Sequence, residues 1–214
     1  NIWTTYEDKI NEYFDVDFSI KQINKASYYF FYDEIYNWNY YKTKCIYEKE
    51  FCEIEKDDIV VDLGSNIGLF TRYAAEKSKK VISIEGSPEH FSCLIKNTHD
   101  LNNIEYLNAN IVGEDKNSNT WSHRKSPINI TINDIFNLYS IDQIDFLKVD
   151  IEGGEYEIFE TLTDEDLKKI KKIAIETHDN NMNYKIYEKF INKKFIYNFD
   201  WYYSNSMQRM LYLY

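Results

Sequence analysis

Residues 60–70 read VVDLGSNIGLF, and this stretch decides the fold class. An apolar, β-branched run ends close to Asp62, a turn containing Gly64 and Gly68 follows, and apolar residues from Ile67 onward begin a helix. A buried strand, a glycine-containing turn and a helix in this order are typical of an open α/β sheet, in which ligands bind beyond the carboxyl ends of the strands. Glycine in such a turn lets the backbone approach a ligand closely.

The same alternation of short β-branched runs and amphipathic stretches continues downstream, which predicts successive βαβ units on a parallel sheet. Two aromatic runs near the C-terminus predict an antiparallel hairpin that closes one edge of the sheet. The predicted strands are 58–63, 80–85, 104–110, 144–150 and 172–177, the predicted helices are 67–77, 88–98, 154–161, 164–170 and 183–192, and the hairpin comprises 195–203 and 208–214.

Residues 1–50 differ from the rest of the chain because they are dense in Tyr, Asp, Glu and Asn, with helical spacing in parts. We predict that they form a helical N-terminal cap and that residues 51–214 form one α/β domain. The cap either covers the sheet or serves as a lid or wall for a substrate site. Residues 112–130 are polar and turn-rich, which predicts a long loop between strands.

The composition limits the classes of partner. With 25 Lys and Arg against 36 Asp and Glu, the formal net charge is -11, which disfavours binding to nucleic acid or to an anionic membrane. Cys45, Cys52 and Cys93 show no metal-ligand spacing and indicate a reducing compartment. No membrane-spanning or signal pattern is present, so we expect a cytoplasmic protein. The first residue, Asn1, suggests a processed product or a domain of a longer polypeptide.

The second glycine cluster indicates which cofactor the turn binds. Glu85 ends a strand about twenty residues after the first turn, where an acid can accept both hydroxyls of a ribose. A dinucleotide site would need a third glycine after Gly68, and Asp62 would place negative charge beside a pyrophosphate. An acid suits the ammonium and sulfonium groups of S-adenosylmethionine better, so charge favours a methyl donor over NAD.

Residues 146–160, FLKVDIEGGEYEIFE, place five carboxylates around a Gly-Gly pair where a strand meets a helix. A helix start favours one or two acids, so the surplus indicates chemistry. Asp150 and Glu152 should lie at the rim of the sheet, beside the transferring methyl group. Lys148 should form an ion pair with a neighbouring acid, and Glu155 should bind backbone amides at the helix start.

A second acidic rim follows the next strand, where Glu176 and His178 occur in IETHD. His178 could act as the general base, because the unperturbed pKa of histidine is close to neutrality. Alternatively, Asp150 with Glu176 or His178 could hold Mg²⁺ or Mn²⁺, which would lower the pKa of an acceptor hydroxyl. A histidine in an exposed loop without a catalytic role would have the same sequence context.

Three motifs carry a family resemblance: VVDLGSNIG at 60–68, IEGSP at 84–88 and FLKVDIEGGE at 146–155. With TINDI at 131–135 and AIE at 174–176, the chain resembles the FkbM-type family of S-adenosylmethionine-dependent methyltransferases. The resemblance implies a Rossmann-like class I methyltransferase fold in residues 51–214, with a seven-stranded sheet whose last strand is antiparallel. It also implies methyl transfer to a hydroxyl of a sugar or oligosaccharide, often in a protein fused to glycosyltransferase domains.

The matched positions give a set of candidate site residues. The expected cofactor-binding residues are Asp62, Gly64, Ser65, Asn66, Gly68, Glu85, Gly86, Asn110 and Asp150. The expected catalytic residues are Asp150, Glu152, Glu176 and His178, and the possible cation ligands are Asp150, Glu176 and His178. The alternative function is a catalytically silent module that binds S-adenosylmethionine within a larger protein.

Overall fold

The computed structural model describes residues 45–114, 128–178, 185–186, 188–190, 197–201 and 209–214. The strands are β1 (Ile59–Leu63), β2 (Lys80–Glu85), β3 (Ile104–Asn108), β4 (Asn110–Ile111), β5 (Asn129–Ile130), β6 (Ile144–Val149), β7 (Ile170–Thr177), β8 (Tyr197–Trp201) and β9 (Arg209–Leu213). The helices with defined bounds are α1 (Leu69–Lys77), α2 (Pro88–Thr98), α3 (Ile132–Tyr139), α4 (Glu155–Thr161) and α5 (Asp164–Lys168).

Seven of these strands form one sheet in the order β3-β2-β1-β6-β7-β9-β8. The pairs from β3 to β7 are parallel, whereas β9 lies between β7 and β8 and is antiparallel to both. This topology confirms the predicted Rossmann-like fold with an antiparallel last strand. It also confirms the hairpin at one sheet edge, although the predicted linker at 204–207 lies outside the described residues.

The strands β1, β2, β6 and β7 are buried on both faces, as strands of parallel sheets usually are. Side chains alternate along each strand, so Val61 and Leu147 pack in one apolar cluster with α4, while Val60 and Phe146 pack in another with α1. Residues 45–54, which precede β1, contribute five buried side chains to the second cluster. The carboxyl ends of β1, β2 and β6 therefore meet at one edge above a rigid core.

Local geometry explains where the sequence predictions differ from the structure. Helix α1 begins at Leu69 because Gly68, with φ of 92°, takes a left-handed conformation that ends the turn. The predicted strand at 104–110 divides after Asn108, and β4 instead pairs with β5 in a separate two-stranded sheet. Helix α3 was not predicted as a helix, although Thr131 and Asp134 form a capping box at its start.

The predicted N-terminal cap is described only in part. Residues 45–50 form turns and an isolated bridge between Lys49 and Cys52 rather than a helix, and residues 1–44 lie outside the described part of the chain. Most of the predicted loop at 112–130 and part of the helix at 183–192 also lie outside it. Among the helices that are described, none is long and apolar enough to cross a membrane.

Candidate active site

The turn after β1 lies against the end of β6. Gly64 has φ of 76°, and a Cβ atom added there would lie 1.7 Å from the carbonyl oxygen of Asp150, so this position requires glycine. The amides of Gly64 and Ser65 donate to the carbonyl oxygen of Ile84 at 3.0 and 3.1 Å. These contacts fix the turn, residues 64–68 (the donor loop below), between the ends of β2 and β6.

A cavity of about 410 Å³ opens beside the donor loop at the carboxyl ends of β1, β2 and β6. This volume is in the range of small-molecule sites. A Cβ atom at Gly86 would lie 2.7 Å from Asn110 Oδ1, so the glycine leaves space at the wall of the cavity. The cavity brings together six of the predicted cofactor-binding residues: Gly64, Asn66, Glu85, Gly86, Asn110 and Asp150.

The carboxylate of Glu85 is held in a fixed orientation at this cavity. Its Oε1 accepts a hydrogen bond from the Ser87 amide at 2.7 Å, and its Oε2 accepts one from the Asn66 amide at 2.8 Å. Burial raises the pKa of Glu85, while these amides oppose the rise. Each oxygen retains a lone pair, so the carboxylate can still accept two hydroxyls, as recognition of a ribose requires.

Asp62 does not line this cavity, although we expected it to approach the methionine part of the cofactor. Its side chain is 0% exposed, and its Oδ2 accepts a hydrogen bond from Thr71 Oγ1 at 2.6 Å. Its Oδ1 lies 3.2 Å from Lys148 Nζ, so the charge of Asp62 is balanced within the protein. The structure therefore gives Asp62 a supporting position beneath the donor loop.

Two predicted residues of the donor loop itself, Ser65 and Gly68, do not line the main cavity. The Ser65 hydroxyl donates to the backbone carbonyl of Asp62 at 2.9 Å, and the residue is almost fully buried. A Cβ atom at Gly68 would lie 2.7 Å from the side chain of Leu94, so this glycine allows α1 and α2 to pack closely. Ser65 also lines a smaller cavity of about 70 Å³ next to the main one, together with Asp150 and other residues.

Lys148 forms the ion pair expected from the sequence and also connects the donor loop to β6. Its Nζ donates to the carbonyl oxygen of Gly64 at 2.8 Å and lies 3.6 Å from Asp150 Oδ2. Burial alone would lower the pKa of Lys148, but the charges of Asp62 and Asp150 outweigh it and raise the pKa. The side chain is therefore a buried cation, and Lys148 lines the smaller cavity.

His178 lies among three carboxylates at the rim. Its Nδ1 is 3.0 Å from Glu155 Oε1, and its Nε2 is 3.5 Å from Glu152 Oε2 and 3.8 Å from Asp150 Oδ1. Burial would lower the pKa of His178, but the hydrogen bond with Glu155 and the neighbouring charges raise it to about 9. The ring is an imidazolium at neutral pH, so in this arrangement it has no lone pair with which to act as a base.

Glu155 has the role predicted from its place in the first turn of α4. Its Oε1 accepts hydrogen bonds from the amides of Ile151 and Gly153, at 3.3 and 3.0 Å. In addition it holds His178, which the sequence did not indicate. The backbone between β6 and α4 is sharply turned here, since Glu152 has φ of 57° and Gly153 has φ of 103°.

The residues that could offer ligand atoms to a cation differ from the predicted set. Asp150, Glu152 and His178 each have such an atom, and these atoms lie within 4.8 Å of one another. Glu176 is not part of this group, because its carboxylate faces Tyr47 instead. Coordination through His178 would require its imidazolium to release a proton, so a cation would compete with that proton for the ring nitrogen.

Tyr47 is the site residue that sequence reasoning missed. Its hydroxyl oxygen lies 2.9 Å from Asp150 Oδ2 and 3.0 Å from Glu176 Oε2. Burial and the charge of Asp150 raise the pKa of Glu176 to about 8. The only sequence signal for Tyr47 is its place in the apolar run CIY before the first strand, which does not distinguish a site residue from a core residue.

The sheet order, the glycine turn after β1 and the acids at the ends of β2 and β6 define a Rossmann-like class I methyltransferase. The sequence profile of the methyltransferase FkbM domain matches residues 62–199. The chain therefore belongs to the FkbM family of S-adenosylmethionine-dependent methyltransferases.

Among proteins of known structure, this chain is similar to methyltransferase FkbM from Methylobacillus flagellatus. It has a TM-score of 0.61 and 18% identity, over 86% of this chain and 48% of that one. Methyltransferase sdnD of Sordaria araneosa is 23% identical over 206 residues, 72% of this chain and 76% of that protein. An uncharacterized RNA methyltransferase of Oceanobacillus iheyensis is 38% identical over 69 residues, 30% of this chain. The chain spans only 15% to 22% of that protein and two other curated relatives.

Proposed function

We propose that the chain transfers a methyl group from S-adenosylmethionine to a hydroxyl of a sugar or oligosaccharide. The observation that carries the proposal is the position of Asp150, a residue that lines both the main cavity and the smaller one. Tyr47, Lys148 and His178 surround this carboxylate with one hydroxyl and two positive charges. These contacts would hold the carboxylate in place at the point where donor and acceptor would meet.

The residues present fit the proposed donor. Glu85 would accept the ribose hydroxyls, because its carboxylate is fixed by two amides and faces the cavity. Gly64 and Asn66 would lie along the methionine part, and Gly86 and Asn110 would border the adenine. The donor supplies a methyl group on a positively charged sulfur, which suits a site bordered by Asp150 and Glu152.

In the proposed mechanism, Asp150 is the general base. It accepts the proton of the acceptor hydroxyl while that oxygen forms a bond to the methyl carbon and the bond from carbon to sulfur breaks. The proton leaves Asp150 to solvent after the reaction. Positioning contributes strongly to such a displacement, because oxygen, carbon and sulfur must be aligned. Glu152, with 81% of its side chain exposed, would contact the acceptor at the rim.

His178 and Glu176 would act through Asp150. The imidazolium of His178 holds Asp150 and Glu152 by charge, and Glu155 fixes its orientation. Glu176 is buried, and its Oε2 lies 3.0 Å from the Tyr47 hydroxyl, through which it would act. All four predicted catalytic residues thus belong to the proposed site, but only Asp150 would accept the proton of the acceptor hydroxyl.

A neutral polyol acceptor is consistent with the acidic rim and with the net charge of -11. The local similarity to an RNA methyltransferase makes RNA the natural competing acceptor. However, RNA would bring many phosphates towards a site that exposes carboxylates, and this charge repulsion disfavours it. The proposal of a sugar acceptor is therefore supported by the negative charge of the site and by the family resemblance.

Two measurements test the proposal in sequence. Calorimetric titration with S-adenosylhomocysteine should show binding, and no binding would contradict every methyl-transfer function. Mass spectrometry of an oligosaccharide panel incubated with the donor should then show a mass increase of one methylation, which an Asp150→Asn variant should nearly abolish. Donor binding without transfer to any sugar would favour the silent module, and transfer to RNA instead would refute the sugar acceptor.

A further inference from the structure

Tyr47 comes from the segment before β1, outside the residues that match the family profile. Its ring packs edge-on against Phe70, with ring centroids 5.2 Å apart, and Lys148 Nζ lies 5.1 Å from the centre of the ring. These contacts hold the aromatic ring within the core and fix where its hydroxyl points. The residue is therefore placed by packing and not only by its polar contacts.

The hydroxyl of Tyr47 meets two carboxyl groups at once. Its oxygen is 2.9 Å from Asp150 Oδ2 and 3.0 Å from Glu176 Oε2, both ordinary hydrogen-bond lengths. A phenol has one proton, so it can form only one well-aligned hydrogen bond as the donor to these two oxygens. The other contact needs a second proton, because two unprotonated oxygens at this distance would repel each other.

The surroundings decide which carboxyl group carries that second proton. Asp150 lies near the cations Lys148 and His178, at 3.6 and 3.8 Å, and keeps 24% of its side chain exposed. Glu176 is 7% exposed and has the charge of Asp150 nearby. Desolvation and the like charge of Asp150 both favour the neutral form of Glu176, which assigns the second proton to Glu176.

We propose that Tyr47 is a positioning residue of the active site: it accepts a hydrogen bond from protonated Glu176 and donates its own proton to Asp150. These two hydrogen bonds end on Asp150 Oδ2. Asp150 Oδ1 is left on the side of His178 and the acceptor. This inference rests on the proposed function for the role of Asp150 as the base. It adds that the segment before the family domain completes the site.

The kinetic consequence differs from that of a damaged donor site. Tyr47 lines the smaller cavity but not the main cavity, so its hydroxyl should matter for methyl transfer more than for donor binding. In Tyr47→Phe the ring contacts remain, but Asp150 loses its hydroxyl donor. We expect kcat to fall about 10- to 100-fold, while the Kd for S-adenosylhomocysteine changes by less than about threefold.

Tyr73→Phe is the matched control. Tyr73 also lies beside Phe70, with ring centroids 6.4 Å apart, and its hydroxyl donates to the buried carboxylate of Glu48, away from the cavities. Its loss should lower the Tm without lowering kcat. If Tyr47→Phe keeps kcat within about twofold of wild type, or if both variants lose kcat in proportion to Tm, the inference is overturned.

Two Glu176 variants test whether the hydrogen bonds from Glu176 to Tyr47 and from Tyr47 to Asp150 matter, or whether Glu176 only fills space. Glu176→Gln keeps a hydrogen-bond donor towards Tyr47, whereas Glu176→Leu keeps the volume without a donor. We expect kcat to fall several-fold further in Glu176→Leu than in Glu176→Gln, because the leucine variant lacks one hydrogen bond that the glutamine variant keeps. Equal losses of kcat in the two variants, or a larger loss of kcat in Glu176→Gln, would count against these hydrogen bonds.

Infrared difference spectroscopy tests the proton without any acceptor. Near neutral pH, the wild-type protein minus Glu176→Gln should show the carbonyl band of a protonated carboxylic acid, and Tyr47→Phe should shift that band. No such band in the wild type would refute the inference even if methyl transfer occurs. Conversely, the band can be present in a protein that methylates no sugar, in which case the proposed function fails and the hydrogen-bonded chain stands.

Discussion

Lys148 Nζ donates a hydrogen bond of 2.8 Å to the carbonyl oxygen of Gly64, and this contact ties the donor loop to β6 from inside the protein. The same ammonium lies 3.2 Å from Asp62, which is opposite Lys148 in the register of β1 and β6. The donor loop therefore has a charged support that is shielded from water.

Lys148→Met should destabilise the protein strongly, because it leaves the buried carboxylate of Asp62 without its counter-charge. Breaking one side of a buried pair typically costs about 3–5 kcal/mol in the free energy of unfolding, measurable by urea denaturation. The control is Lys171→Met, whose side chain is 58% exposed and 2.6 Å from Asp145; its loss should cost under about 1 kcal/mol. Similar losses in both variants would contradict a structural role for the buried pair.

Glu85→Gln should weaken donor binding. The amide nitrogen of glutamine would face the amides of Ser87 or Asn66, which now donate to the carboxylate, and one charged acceptor for the ribose would be lost. We expect the Kd for S-adenosylhomocysteine to rise about 10- to 100-fold in calorimetry. Glu89→Gln, at an exposed position in the first turn of α2, is the control and should leave the Kd within about twofold. An unchanged Kd in Glu85→Gln would remove Glu85 from the donor site.

The stability of the protein should depend on pH through His178. Its folded-state pKa of about 9 lies above the ordinary value of 6.5, so its contribution is fully present below pH 6.5 and is lost as the pH rises through 9. The difference in unfolding free energy between wild type and His178→Gln should be at most about 3 kcal/mol near pH 6 and should shrink as the pH rises from about 6.5 to about 9. Urea unfolding across this range measures it.

The control for this titration is His99→Gln, because His99 lies on an exposed surface and contacts the backbone of Lys96. Wild type and His99→Gln should differ by less than about 0.5 kcal/mol, as is usual for an exposed position. A constant difference for His178→Gln would mean that the imidazolium does not stabilise the acidic rim.

Methyl transfer should persist in EDTA. The cluster of Asp150, Glu152 and His178 already contains a positive charge, and a cation would first have to displace the imidazolium proton. Turnover in EDTA, compared with turnover after adding Mg²⁺ or Mn²⁺, measures the requirement. Loss in EDTA with recovery on Mn²⁺ would instead support the cation-assisted mechanism that the sequence left open.

Much of the fold could be predicted because its signals are local. Each strand is a short β-branched run, and the first two glycine turns lie where parallel strands end. Glu85 and Gly64 could be placed at the donor cavity for the same reason. The break after Asn108 could not be predicted, because it depends on pairing between β4 and β5, which are distant in sequence.

The charge state of the site is a tertiary property, so the sequence could not predict it. Asp62 was expected to face the cofactor, but the register of β1 and β6 places Lys148 opposite it and buries both. The pKa of His178 depends on acids from the turn and helix after another strand. Tyr47 reaches Asp150 across 103 residues of sequence, and no motif marks such a contact.

The small sheet of β4 and β5 has a practical consequence for engineering. The amide of Asn110 donates to the carbonyl of Ile128 at 2.8 Å, and the amide of Val112 donates to that of Ile130 at 2.9 Å. The polypeptide leaves this two-stranded sheet after Glu114 and returns to it at Ile128, beside the part of the cavity wall formed by Asn110. A foreign peptide or an affinity tag grafted between residues 114 and 128 would thus begin and end at fixed points. Replacing residues between 114 and 128 would therefore leave both of these backbone hydrogen bonds in place beside Asn110.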